Sequence, residues 1–100
     1  MDTSKRIYIS GKITADPDYF KKFDDAENDL IGNGYSSIVN PAAVNLRLPA
    51  DFSHDDYMRV SLAELHCCQA VYFLKDWKDS PGALREFDEA KRRGMEIIFQ

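Results

Sequence analysis

The sequence has 100 residues, 44% hydrophobic and 30% charged, with a formal net charge of -4 at pH 7. That length supports one domain over residues 1–100 with a single core. The charge excludes a broad electrostatic grip on duplex nucleic acid, although a small anionic ligand held by local groups stays open. No segment approaches the roughly 18 consecutive apolar residues of a membrane span, and "MDTSKRIYIS" has no apolar stretch before a small-residue cleavage site, so a cytoplasmic protein is expected.

In chain order, "RIYIS" (6–10) reads as a buried strand stopped at Gly11. Asp16 before Pro17 opens a helix that ends at Gly32 or Gly34, with Phe20, Phe23, Ala26 and Leu30 recurring at helical spacing. "YSSIVN" (35–40) is a second strand, halted by Pro41. The two prolines and weak periodicity of "PAAVNLRLPADFS" predict a long loop with one helical turn near Ala42 to Asn45. Ser53 then caps a helix over His54 to Cys67, with Tyr57, Val60, Leu62, Ala63 and Leu65 as its apolar contacts. "QAVYFL" (69–74) is the third strand, Pro81 to Arg93 the last helix, and Glu96 to Phe99 the last strand.

Strands alternating with helices imply right-handed crossovers and a parallel sheet covered on both faces. The fold class expected is α/β, a three-layer Rossmann- or flavodoxin-like arrangement with four parallel strands in the order 2-1-3-4. Ligands of such sheets bind beyond the carboxyl ends of the strands, where strand order reverses. That point lies between the first and third strands. Ser10, Gly11, Lys12, Ile13 and Thr14 leave one of them there, and Asp76, Trp77, Lys78, Asp79 and Ser80 follow the other.

Ser80 as cap, Pro81 at the first helical position and Gly82 behind it make a helix mouth suited to an anion, or simply a well-capped helix. Glu86 lies one turn further in. If Ala83, Phe87 and Ala90 form the buried stripe, Glu86 falls just off its edge, away from Arg85, Asp88 and Arg92. Residue types alone favour a solvated glutamate in a run of i,i+4 charge pairs. Tyr8 and Trp77 are more often packing residues than ligand contacts, and His54 and His66 have no triad partners at recognisable spacing. Cys67 and Cys68 are neighbours, a poor staple and not zinc-site spacing. They are expected as reduced thiols, one facing the core, with no metal or cofactor implied.

Taken together, "IYISG" at 7–11, "AVYFLKDW" at 70–77 and "SPGALRE" at 80–86 resemble the nucleoside 2-deoxyribosyltransferase superfamily. The likeness is closest to its small bacterial and phage members, and extends to its 2'-deoxynucleoside 5'-monophosphate N-glycosidases. It implies that Glu86 attacks the anomeric carbon of a deoxyribosyl group as a covalent nucleophile, with Tyr8 orienting it. It implies that Ser80 and Gly82 hold a 5'-phosphate and that Gly11, Lys12, Ile13 and Thr14 line the phosphate and sugar side. Trp77 and the loop from Asn40 to Ala50 would border the base. Ser61 stands where the family usually has an aspartate to assist the leaving base, so either another group such as Asp56 or Asp76 substitutes or the chemistry is slow or absent. A nucleoside or nucleotide is the expected ligand, and a homodimer or higher homo-oligomer the expected assembly. The alternatives are a nucleotide-binding module of the same fold without catalysis, and a scaffold whose crevice is vestigial.

Overall fold

The run Ile7–Ser10 forms β1 and is buried along its whole length. A computed structural model describes residues 2–100. After β1 come α1 (Tyr19–Gly32), β2 (Ile38–Val39), α2 (Pro41–Asn45), α3 (His54–His66), β3 (Ala70–Phe73), a 3-10 turn (Trp77–Asp79), α4 (Pro81–Arg92) and β4 (Glu96–Phe99). The sheet has four strands in the order β2-β1-β3-β4. Every pairing is parallel, with Ile7 opposite both Ile38 and Ala70, and Ala70 opposite Glu96.

Alternation along the strands divides the core in two. Ile7, Ile9 and Ala70 pack with Phe23, Ala26 and Leu30 of α1 on one face. Tyr8, Val71 and Phe73 pack with Leu65 of α3 and Ala90 of α4 on the other. Successive odd and even positions of β1 therefore serve opposite layers. This is the geometry that carries Tyr8 and Ser10, two residues apart, to the side of α3 and α4.

The elements begin and end for local reasons. Ser53 accepts from the Asp56 N–H while the Asp56 carboxylate accepts from the Ser53 N–H, a reciprocal capping box that starts α3. Asn40 caps α2 by accepting from the Ala42 N–H. The expected start of α1 at Asp16 is corrected, because Asp16 Oδ1 accepts from the Asp18 N–H and its N–H donates to Ile13, giving a turn before Tyr19. The second strand is shorter than expected: β2 pairs with β1 alone at the edge of the sheet, and its ladder spans Ile38 and Val39.

Gly11 follows β1 where the chain passes against Leu74. A Cβ there would lie 2.9 Å from Leu74 Cδ1 and 3.0 Å from its Cβ and Cγ. Leu74 is buried and held at its root, so it has no easy escape. Gly11→Ala is expected to cost about 1–3 kcal/mol, read as a lower urea midpoint. An unchanged midpoint would mean that the strand ends can part without cost.

Candidate active site

At the carboxyl end of β1, where the crossovers to β2 and β3 diverge, a cavity of about 270 Å³ opens between the layers. Its size is near the lower end of the range for small-molecule sites. Tyr8, Ile9, Gly11, Ile13 and Thr14 supply one wall, with Tyr19 and Phe23 of α1 beside them. The first turns of α3 and α4 form the other, through His54, Tyr57, Met58, Ser61, Ser80, Gly82, Ala83 and Glu86. Pro41 and Asn45 of α2 complete it.

Glu86 is the chemical centre of that wall. It belongs to the buried stripe itself, with Ala83 and Ala90, while Phe87 is half-buried, so the solvated-glutamate reading is corrected. Two alanines leave room for a carboxylate between α4 and the sheet, and β1 supplies the donors. Tyr8 Oη donates to Glu86 Oε2 at 2.5 Å, and Ser10 Oγ donates to Oε1 at 2.7 Å. Both oxygens are thus engaged in a residue 5% exposed. Burial pushes the Glu86 carboxyl up to about 7, against the Tyr8 and Ser10 hydrogen bonds, which favour its charge. The Glu64 carboxylate adds to the rise and Arg85 opposes it. Burial, followed by the nearby Glu86, lifts the Tyr8 phenol well above its ordinary range.

The mouth of α4 has the expected cap. Ser80 Oγ accepts from the Ala83 N–H at 3.1 Å. Gly82 sits so close to α3 that a Cβ would come within 3.1 Å of Met58 Sδ and 3.9 Å of His54 Cε1. The starts of two helices therefore meet at this lip, each presenting the positive end of its dipole.

The cavity wall brings together Tyr8, Gly11, Ile13, Thr14, Ser61, Ser80, Gly82 and Glu86 among the expected site residues. Lys12, Asp76 and Trp77 lie outside it. Asp76 accepts from the Lys12 N–H at 3.1 Å and pairs with Lys22, which also pairs with Asp16. Those charges clasp the loop after β1 to the loop after β3. Trp77 stacks on Phe87 with ring centroids 4.6 Å apart and touches Phe73 and Phe99, which makes it part of the core edge. Asp56 is committed to the α3 cap and Arg59, so neither proposed substitute for the missing aspartate reaches the cavity.

Several wall residues escaped the sequence reading. Ser10, a partner of Glu86 rather than a wall residue, was legible, since a serine two residues after Tyr8 in a strand must share its face. Met58, Tyr57 and His54 become visible only once α3 is set beside α4. Asn45 Oδ1 is buried without a hydrogen-bond partner and belongs to the wall, leaving an acceptor for a ligand donor. Cys67 is exposed and Cys68 buried, and burial pushes the Cys68 thiol up to about 11, which keeps it an unreactive thiol. Among the described residues, no group of three or more His, Cys, Asp or Glu is arranged to hold a metal ion. No helix among them is long and apolar enough to cross a membrane.

Residues 5–99 match the family model described as a domain of unknown function, DUF4406. The chain belongs to that family. A search of curated proteins finds no match. The matched span takes in every strand and helix of this DUF4406 chain, and with them the whole cavity wall.

Proposed function

We propose that the protein cleaves the N-glycosidic bond of a deoxynucleoside or its 5'-monophosphate through a covalent glycosyl-Glu86, with water or a second base as acceptor. The observation that carries this reading is the buried Glu86 carboxylate, fixed by Tyr8 and Ser10 on the wall of a cavity at the strand ends. A solvent-exposed glutamate would be free to turn; this one is held by two hydroxyls and lines a ligand-sized space. The resemblance of "IYISG" and "SPGALRE" to deoxyribosyltransferases supports the same assignment.

In the first step the ionised Glu86 oxygen bonds to the anomeric carbon. The bond to the base nitrogen breaks, and the base leaves with its electron pair. Tyr8 and Ser10 hold the carboxylate in line and spread its charge. An acceptor base, or water losing a proton to the group that protonated the leaving base, then attacks the anomeric carbon, and Glu86 departs as carboxylate. Among the described residues Glu86 is the sole carboxylate on the wall, so protonation of the leaving base falls to a group other than a wall carboxylate.

The lip where α3 and α4 begin fits a 5'-phosphate, with Ser80 and Gly82 as its contacts. Ser80→Ala is expected to weaken a deoxynucleoside 5'-monophosphate about tenfold in KM while leaving the unphosphorylated nucleoside nearly unchanged. The loss of the cap lowers stability by about 1 kcal/mol. Equal effects on both ligands would remove Ser80 from the phosphate site. The general test is base release from a panel of deoxynucleosides and their 5'-monophosphates, with binding recorded in parallel.

The second reading, a nucleotide-binding module without turnover, is favoured by Ser61, a weak acid where an aspartate is usual. It predicts saturable binding and no base release. A homodimer or larger homo-oligomer belongs to either reading. The exposed Phe20, Val44, Leu46 and Leu84 offer apolar surface for it, to be tested by sedimentation over a range of concentrations.

A further inference from the structure

Backbone hydrogen bonding at β4 is complete on one side only. In the parallel ladder with β3, the Glu96 N–H donates to the Gln69 carbonyl and the Gln100 N–H to the Phe73 carbonyl. Residues 96, 98 and 100 thus turn their backbone groups inward, and strand alternation turns the N–H and C=O of Ile97 and Phe99 outward. β4 ends the sheet order, so among the described residues no strand takes those groups up. An edge of that kind is a template for another strand.

The two edges of the sheet are unlike. β2 offers two residues and runs into Asn40 and Pro41, where α2 begins, which blunts it. β4 has four residues, Glu96–Phe99, with no proline, glycine or lysine to turn a partner away. Its one charge, Glu96, is paired with Lys5 at 3.4 Å. The isoleucines between are half-buried, and Phe99 is 54% exposed.

We infer that β4 is the interface of a twofold homodimer, pairing antiparallel with β4 of a second copy so that two four-stranded sheets join into one. The register follows from which groups are free. Centring on Ile98 sets Ile97 against Phe99 of the second copy on both sides of the axis, and each such pair exchanges both of its hydrogen bonds. Centring on Ile97 would call on the Met95 N–H, which is already spent on the Ala90 carbonyl. In the Ile98 register each exposed Phe99 ring gains an Ile97 side chain as cross-strand neighbour, and the two Ile98 side chains meet. Charge agrees. Glu96 comes opposite Gln100, whose side chain accepts from the Lys75 N–H at 3.0 Å, whereas parallel pairing would set Glu96 against Glu96. Because β2 is blunted, the assembly closes at two copies. This surface is separate from the exposed apolar residues of α1, α2 and α4, and it does not depend on the chemistry at Glu86.

The test joins sedimentation to amide hydrogen exchange on the unaltered chain. Monomer should give way to dimer as concentration rises from micromolar to millimolar. Over the same range exchange at Ile97 and Phe99 should slow, while Ile98, already bonded to β3, stays protected throughout. Ile98→Cys in a Cys67→Ser background should cross-link the two copies on mild oxidation. Glu96→Cys in the same background should not, since the register holds the two positions apart. If Ile98→Cys does not fold, the exchange of the unaltered chain decides. A chain that stays monomeric at millimolar concentration overturns the inference, as does a dimer whose Ile97 and Phe99 amides exchange as fast as in the monomer. Cross-linking of Glu96→Cys as readily as Ile98→Cys overturns the register.

Discussion

Replacing Glu86 by glutamine is expected to abolish base release while making the folded protein more stable at alkaline pH. Both effects come from the same burial. The nucleophilic oxygen is gone, so turnover should fall on the order of 10⁴-fold or more. For stability the sign follows from proton binding. Glu86 is raised from 4.5 to about 7 by burial, so between those values the folded chain holds a proton that the unfolded chain has lost. Its contribution therefore turns against folding as pH climbs through that window, and by pH 8 the penalty is complete, at about 3 kcal/mol. Glutamine carries no such penalty. Urea midpoints of the two proteins should nearly coincide at pH 4.5 and separate by pH 8, with the variant above. Parallel curves across the whole range would mean that Glu86 is not buried as a carboxylate.

The second large effect lies in the aromatic cluster shared by β3, the 3-10 turn, α4 and β4. Phe73 is wholly buried, with ring centroids 5.2 Å from Trp77, 5.5 Å from Phe87 and 5.9 Å from Phe99. Its removal opens a cavity that three rings anchored on the 3-10 turn, α4 and β4 cannot close together. Phe73→Ala is expected to cost about 3–5 kcal/mol. In a domain of this size that is a large share of a total of about 5–15 kcal/mol, and the variant should be partly unfolded at 37 °C. Calorimetry would register it as a large fall in Tm. Trp77→Ala, in the same cluster, should lower stability and leave nucleotide affinity unchanged. A loss of affinity instead would return Trp77 to the ligand site.

The order and type of elements were readable because each carries its own local signal. Ile7 and Ile9 alternate with Tyr8, Ser53 and Asp56 form a capping box, and Ser80-Pro81 opens a helix. The parallel sheet followed from the alternation of strand and helix, and its expected order, 2-1-3-4, is the one observed. What the chain concealed were the consequences of distant contact. Glu86 reads as a surface glutamate among Arg85, Asp88 and Glu89, because the hydroxyls that let it be buried sit on β1, more than seventy residues away. Trp77 and Asp76 reach the right end of the sheet, yet aromatic packing with Phe87 and charge pairing with Lys22 turn them from the cavity. Met58 and Asn45 carry no motif and acquire meaning only from the wall they share.

The proposed chemistry passes through a sugar bonded to Glu86. The most direct measurement is peptide mass mapping of protein quenched in acid during turnover of a deoxynucleoside 5'-monophosphate. The expected result is the mass of the deoxyribosyl phosphate on the peptide bearing Glu86, and none in Glu86→Gln. Base release with no adduct, continuing undiminished in Glu86→Gln, would contradict it.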